Sequence, residues 1–97
     1  MDKMIMIIYN EAIDIEVMEV LEKCAVKSYT KVPGVFGAGE KSGIHLGDDI
    51  WPGRNNLLFA AVNAIQSAKV LEEIRKLRIS LAHEGVKAFV MPIESFT

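Results

Sequence analysis

Five apolar residues in succession, from Met4 to Ile8, limit the fold of this chain more than any other feature of its sequence. A run this short cannot span a bilayer, and it lacks the small-residue cleavage site of a secretory signal. An apolar run without polar alternation is typical of a strand that is covered on both faces or lies centrally in its sheet. We therefore predict a central strand over residues 3–9.

Two amphipathic segments and three further strand-like segments follow. Asp14 is a predicted N-cap, and apolar residues recur at helical spacing from there to residue 25. Ser67 is the predicted cap of a second helix, and Gly85 its stop. The further strands are predicted over residues 26–32, 56–62 and 86–93, the first of them peripheral. This order predicts an α+β fold of ferredoxin-like βαββαβ topology, with a four-stranded antiparallel sheet and two helices on one face.

The 97 residues predict a single domain, since half of them are apolar and can form a modest core. The two helices cover one face of the sheet only, and an open apolar face of that size is more than monomers usually expose. We expect other copies of the chain to cover it, and burial alone does not give their number.

Charge and cysteine content exclude several functions. The formal net charge is −2, and no run of lysine and arginine forms a stripe that neutralises phosphates, so nucleic acid is not an expected partner. Cys24 has no second cysteine with which to form a disulfide, and its helical position predicts a small buried side chain in a reducing, cytoplasmic protein.

No pair of residues suits a general acid and base, so we predict a binding protein and not an enzyme. Direct membrane insertion is not expected.

A long loop at about residues 33–55 is the segment that most strongly indicates a function. Six of the seven glycines lie within it, and neither a helical nor a strand period continues through it. Loops of this length inside compact domains are usually functional or disordered. Glycines at positions 34, 37 and 39 bring backbone N–H groups close to an anion in phosphate cradles, although the spacing here matches neither the dinucleotide nor the Walker pattern.

The loop also carries a family resemblance. The predicted second strand ends in a glycine-valine-phenylalanine-glycine turn at residues 34–37, followed by Lys41 and Gly43, and this resembles the base of the T-loop in P-II signal proteins. Residues 48–56 contain a tryptophan-proline-glycine-x-asparagine segment that is similar to a signature of divergent P-II-like proteins. The order and lengths of the predicted elements extend the resemblance over nearly the whole chain.

The resemblance implies a homotrimeric regulatory sensor with ligand clefts between neighbouring subunits. Its 34–54 loop would change shape when a small anionic ligand fills the cleft, and would signal to a protein partner such as a membrane transporter. The family's second nucleotide loop, between the second helix and the last strand, is absent, so an adenine nucleotide is one of several candidate ligands. The ligand-binding residues that the resemblance suggests are Lys31, Gly37, Gly39, Lys41, Trp51, Arg54, Asn55 and Asn56.

Several of these residues also suit a structural role. Trp51 can stack on a ligand ring or plug a subunit interface, and Asn55 and Asn56 can bind a ligand or form an ordinary turn before a strand. Tyr29 and Lys31 share a strand face, where a ligand site and a simple cross-strand pair are both compatible with the sequence.

Metal binding is the alternative function. His45, Asp48 and Asp49 are side chains that a divalent cation accepts as ligands. With these residues as ligands, the chain would be similar to the CutA-type cation-tolerance proteins, which share the topology and the trimer. A small enzyme with a ferredoxin-like cavity is a third hypothesis. It needs a buried histidine or carboxylate dyad, which the sequence does not show, and His45 inside a closed pocket would favour it.

Overall fold

Strands and helices alternate along the chain in the predicted order. The computed structural model describes residues 1–39, 43–45, 54–81 and 84–97. The described elements are β1 (Lys3–Asn10), a 3-10 helix (Glu11–Ile13), α1 (Asp14–Lys23), β2 (Thr30–Val35), β3 (Gly37–Gly39), β4 (Gly43–His45), β5 (Asn55–Val62), α2 (Ala64–Ser80) and β6 (Val86–Pro92).

The two apolar runs form the centre of a four-stranded sheet. Its strand order is β2-β5-β1-β6, and every pair of neighbours is antiparallel. β1 and β5 therefore have strands on both sides, as their uninterrupted apolar sequences predict, whereas β2 lies at an edge. The α+β fold with a four-stranded antiparallel sheet and two helices is confirmed.

The core lies between the sheet and the two helices. Alternate residues of the central strands, such as Ile5, Ile7 and Leu58, are fully buried against residues of the helices, such as Val17 and Val70. Cys24 belongs to the same core and is 3% exposed, as predicted for a small buried side chain. Burial raises the pKa of its thiol, which keeps the sulfur protonated and unreactive.

The other face of the sheet is apolar and carries no element of the described chain. In the register of the sheet, Met6 lies between Phe59 and Phe89, and Thr30 follows Phe59 on the edge strand. Phe89 is 42% exposed and Val32 is 40% exposed, although both are large apolar side chains. We call this surface the open face, and its apolar residues are Met4, Met6, Ile8, Val32, Leu57, Phe59, Ala61, Phe89 and Met91.

The predicted helix caps are wrong. Asp14 is the first residue of α1, and Asn10 instead caps the preceding 3-10 helix, since its side chain accepts a hydrogen bond from the N–H of Ala12. Asn63 caps α2 in a reciprocal capping box with Gln66, with hydrogen bonds of 2.7 and 3.1 Å. The hydroxyl of Ser67 lies inside the helix and donates to the carbonyl of Ala64.

Three further details of the predicted secondary structure differ from the structure. β2 begins at Thr30 and not at Val26, because Ala25 takes a left-handed conformation with φ of 58° and the chain turns there before it joins the sheet. The predicted loop contains the short hairpin of β3 and β4, which pairs Gly37 with His45 through backbone groups and needs no side-chain period. α2 ends at Ser80, before the predicted stop. Among the described helices, none has the length and apolar character required to cross a membrane.

Candidate functional site

A cluster of four polar side chains lies where the central strands meet the start of α1. The carboxylate of Asp14 accepts a hydrogen bond of 2.6 Å from the hydroxyl of Tyr9 and one of 3.3 Å from Nδ2 of Asn56. The ammonium group of Lys31 lies 2.9 Å from Oδ1 of Asp14 and donates to its Oδ2 at 3.1 Å. Asp14 therefore connects β1, β2 and β5 to the first turn of α1. We call these four residues the Asp14 cluster.

The sheet register explains why these side chains meet. Tyr9 and Asn56 lie directly opposite each other on β1 and β5, and both are buried on the face that the helices cover. Lys31 lies opposite Leu58, which is buried on the same face. Polar side chains in this position require hydrogen-bond partners, and Asp14 supplies an acceptor for all three.

The cluster changes the acidity of its members. Burial raises the pKa of Tyr9 far above its ordinary value, and the hydrogen bond to Asp14 raises it further. Desolvation also raises the pKa of Asp14, but hydrogen bonds from Lys31 and Tyr9 outweigh it and hold this pKa below its ordinary value. At neutral pH the cluster therefore contains an ionised carboxylate at Asp14 beside a neutral phenol at Tyr9.

One acceptor in the cluster is unpaired. Asn56 is 5% exposed, and its Oδ1 has no hydrogen-bond partner among the described residues. The amide is oriented by its Nδ2, which faces the carboxylate of Asp14, because the opposite orientation would place two acceptor oxygens together. The contact to Asp14 therefore helps to fix the orientation of the Asn56 amide.

The base of the long loop lies beside the Asp14 cluster. The N–H of Glu11 donates a hydrogen bond of 2.7 Å to the carbonyl of Arg54. Gly34 has φ of 70°, which an L side chain rarely adopts, and a Cβ there would lie 3.8 Å from the side chain of Arg54. A Cβ at Gly37 would lie 3.5 Å from Nδ2 of Asn55, which is ordinary contact. The two ends of the loop are therefore adjacent.

The structure places some of the predicted ligand-binding residues together. Lys31, Gly37, Arg54, Asn55 and Asn56 lie at the base of the loop, and Gly39 ends β3. Lys41 and Trp51 lie outside the described residues. The ligand role of all eight residues stays a prediction, and Lys31 is engaged by an internal carboxylate.

The metal site stays a prediction as well. Asp48 and Asp49 lie outside the described residues, and of His45 only the backbone is described, as the end of β4. Elsewhere in the described chain, no group of three or more histidine, cysteine, aspartate and glutamate side chains is arranged to hold a metal ion.

Tyr9 and Asp14 are members of the cluster whose contacts the sequence did not predict. A tyrosine that ends an apolar run is one available signal, because a buried phenol requires a partner. Asn56 at the start of an interior strand is another, for the same reason.

A hollow of about 330 Å³ lies at the β2 edge of the open face. Tyr29, which is 46% exposed, forms part of its wall, and the ring of Tyr29 also lies 6.0 Å from Nζ of Lys31. Apolar walls with a few polar groups are typical of small-molecule sites. The residues that line the hollow are Met4, Ser28, Tyr29, Thr30, Phe59, Ala60 and Ala61.

Solved structures with the same fold include several of PII-like proteins. Nitrogen regulatory PII-like protein CPII from Thiomonas intermedia K12, bound to ADP, AMP and bicarbonate, has a TM-score of 0.77 and 22% identity over 99% of this chain and 93% of its own. The apo form of CPII has a TM-score of 0.68 and 18% identity over 95% of this chain and 90% of its own. A PII-like protein from Thermus thermophilus has a TM-score of 0.68 and 21% identity, over 95% of this chain and 85% of its own.

The likeness to these structures extends over 95–99% of this chain. A search of curated proteins finds no match. The family model described as Nitrogen regulatory protein P-II matches residues 2–97, which is nearly the entire sequence. The chain therefore belongs to the P-II family.

Proposed function

We propose that this protein is a trimeric P-II-like regulator that binds a small anionic ligand in clefts between its subunits. The ligand class that we propose is an adenine nucleotide, ADP or AMP, with bicarbonate as a second anion. Binding would change the arrangement of the 34–54 loop and thereby the protein's affinity for a protein partner, such as a membrane transporter. A ligand produces this effect only if its affinity differs between the two arrangements of the loop.

The position of the hollow is the observation that carries this proposal. The hollow lies on the edge strand β2, at the border of the open face. A second copy that covers the open face would approach this edge and could close the hollow with its own residues. The base of the loop begins at Val35, the last residue of the same strand, and Gly37 follows as the first residue of β3. A ligand in the closed hollow would therefore contact the strand that leads into the loop.

The chemistry of the hollow fits one part of a nucleotide. Phe59 and Met4 offer apolar surface to a flat aromatic base, and the hydroxyls of Ser28 and Thr30 offer hydrogen bonds to its edge. Tyr29 offers a ring for stacking. The CPII structures, which contain ADP with AMP or bicarbonate, support the choice of these ligands for this chain.

Thermal unfolding in the presence of ADP, AMP and bicarbonate tests the proposal. A ligand at about 100 times its Kd stabilises the folded protein by about 2.7 kcal/mol and raises the Tm accordingly. We expect at least one nucleotide to do so, and we expect Tyr29→Ala to lose most of that increase. Phe96→Ala is the control, since Phe96 is an exposed aromatic residue outside the hollow.

Two results would contradict the proposal. The first is an unchanged Tm with all three compounds at millimolar concentration. The second is a molar mass from light scattering that equals one or two chains, because the clefts that we propose require three. If ligand raises the Tm of Tyr29→Ala as much as that of the wild type, the ligand binds at another site.

A further inference from the structure

The structure indicates how the loop base is held in place. Asp14 binds Lys31 on β2, the strand that leads into the loop, and Asn56 on β5, the strand that leads out of it. The two strands are thereby fixed to one carboxylate in the first turn of α1. We propose that Asp14 is a positioning residue that couples the hollow to the exit of the loop, although it does not line the hollow itself. The coupling to a ligand rests on the proposed function, and the positioning role does not.

The first link joins the hollow to Asp14. Tyr29 lines the hollow, and the ammonium group of Lys31 lies 6.0 Å from the centre of its ring, within the range of a cation–π interaction. Lys31 is in turn held by Asp14 at 2.9 Å, with its side chain 26% exposed. A ligand that displaces the Tyr29 ring would therefore change the environment of the ion pair.

The second link joins Asp14 to the exit of the loop. The amide of Asn56 donates to Asp14, and two residues earlier the carbonyl of Arg54 accepts a hydrogen bond from the N–H of Glu11. Glu11 and Asp14 belong to the continuous helical segment that begins after β1. Residues 54–56 are therefore tied to this segment at two points.

The unpaired acceptor of Asn56 makes this arrangement dependent on Asp14. A buried amide normally has partners for both its oxygen and its nitrogen, and these fix its position. Here Oδ1 has none among the described residues, so the contacts of Nδ2 are what hold the side chain. Loss of the Asp14 charge would weaken the contacts to Lys31 and Asn56 together.

Hydrogen exchange and NMR of the ligand-free protein test the positioning role. In Asp14→Asn, we expect the Glu11 amide to exchange about tenfold faster, because loss of the charged acceptor weakens the attachment of residues 54–56 and this segment opens more often. We also expect the side-chain NH2 resonances of Asn56 to move. Lys31→Met should also speed exchange of the Glu11 amide, by a smaller factor. In Lys31→Arg the exchange rate should equal that of the wild type.

Lys23→Met is the matched control. It removes an ion pair of similar length, 3.1 Å from Nζ to Glu73, on a lysine that is 61% exposed and remote from the loop. We expect the exchange rate of Glu11 in this variant to equal that of the wild type. Unchanged exchange at Glu11 in both Asp14→Asn and Lys31→Met would overturn the positioning role.

Addition of ADP to the same samples tests the coupling. In the wild type, ADP should alter the exchange of the Glu11 amide, and in Asp14→Asn it should raise the Tm and leave this amide unaffected. Equal changes at Glu11 in both proteins would overturn the coupling. If ADP and AMP bind neither protein, the proposed ligand is wrong and so is the coupling to it, while the ligand-free exchange still decides the positioning role.

Discussion

The hydroxyl of Tyr9 donates a hydrogen bond of 2.6 Å to Oδ1 of Asp14 from a side chain that is 1% exposed. The phenol ends the apolar run of β1, and its ring belongs to the core while its oxygen reaches the start of α1. Such an arrangement lets one residue both fill the core and orient a carboxylate that two other strands contact.

Removal of this hydroxyl should measure the contribution of the hydrogen bond. We expect Tyr9→Phe to lower the free energy of unfolding by about 1.5–3 kcal/mol, as is usual for a hydrogen bond to a charged group. Urea denaturation checks this value. Tyr29→Phe is the control, because this hydroxyl is on a half-exposed residue, and its effect should stay within about 0.5 kcal/mol. Equal effects of the two substitutions would show that the Tyr9 contact adds nothing.

The pH dependence of stability should carry the signature of Asp14. The pKa of Asp14 in the folded protein is below its ordinary value of 3.8, because the hydrogen bonds from Lys31 and Tyr9 outweigh the opposing desolvation. A group whose pKa is lowered by folding stabilises the protein fully above the unfolded pKa, and this stabilisation is lost as the pH falls through the folded pKa. We expect the free energy of unfolding to begin to fall near pH 4, and to fall less in Asp14→Asn than in the wild type.

Glu73 provides the comparison for that titration. Hydrogen bonds from Lys23 and then Lys76 lower its pKa as well, but this carboxylate belongs to an ion-pair network whose lysines are 61% exposed. Salt screens such pairs strongly. We therefore expect about 0.5 M salt to remove most of the difference in the free energy of unfolding between wild type and Glu73→Gln. The difference between wild type and Asp14→Asn should remain. Denaturation at several pH values measures both. The reverse pattern would contradict the assignment.

The elements of this fold could be predicted because their signals are local. The uninterrupted apolar runs of β1 and β5 predict central strands, and both strands lie at the centre of the sheet. Val26 shows where local reasoning ends. Its place in an alternating pattern predicted a strand, yet it is buried at 5% exposure in the irregular segment that follows the turn at Ala25, before the strand begins. A buried apolar residue in an irregular segment and one in a strand look the same in the sequence.

The Asp14 cluster could not be predicted from the sequence for a different reason. Its members are separated by up to 47 positions, from Tyr9 to Asn56, and they meet only once the register of β1 and β5 is known. A shift of one residue in that register would turn Asn56 to the opposite face of the sheet. The sequence predicted Lys31 and Asn56 as members of a site, but their common partner required the structure.

Asn63 and Ser67 offer a direct test of which residue caps α2. Asn63 accepts a hydrogen bond from the N–H of Gln66, whose side chain accepts one from the N–H of Asn63. We expect Asn63→Ala to lower the free energy of unfolding by about 1 kcal/mol. Ser67→Ala should change it by less than about 0.5 kcal/mol, because the hydroxyl of Ser67 donates only to the carbonyl of Ala64 within the helix. Alanine also favours helices. A larger effect at Ser67 in urea denaturation would restore the sequence-based assignment.

Phe89 should be required for assembly through the open face. The residue is 42% exposed and lies next to Met6 in the register of the sheet, at the end of the row that continues to Phe59. A carboxylate buried at this position in a subunit interface would have no partner among the apolar residues of the open face, at a cost of several kcal/mol. We therefore expect Phe89→Glu to convert the assembly to a monomer. Size-exclusion chromatography with light scattering measures the molar mass that decides this.

Ile79→Glu is the control for this substitution. Ile79 is 81% exposed, but it lies on α2, on the side of the sheet opposite to the open face. The same change of an exposed apolar residue to glutamate should therefore leave the molar mass at that of the wild type. Dissociation by Ile79→Glu with retention of the assembly in Phe89→Glu would place the subunit interface on the helices. We expect the assembly to dissociate in Phe89→Glu and not in Ile79→Glu, because the apolar residues of the open face are neighbours across four strands and form one continuous surface, which monomers rarely expose.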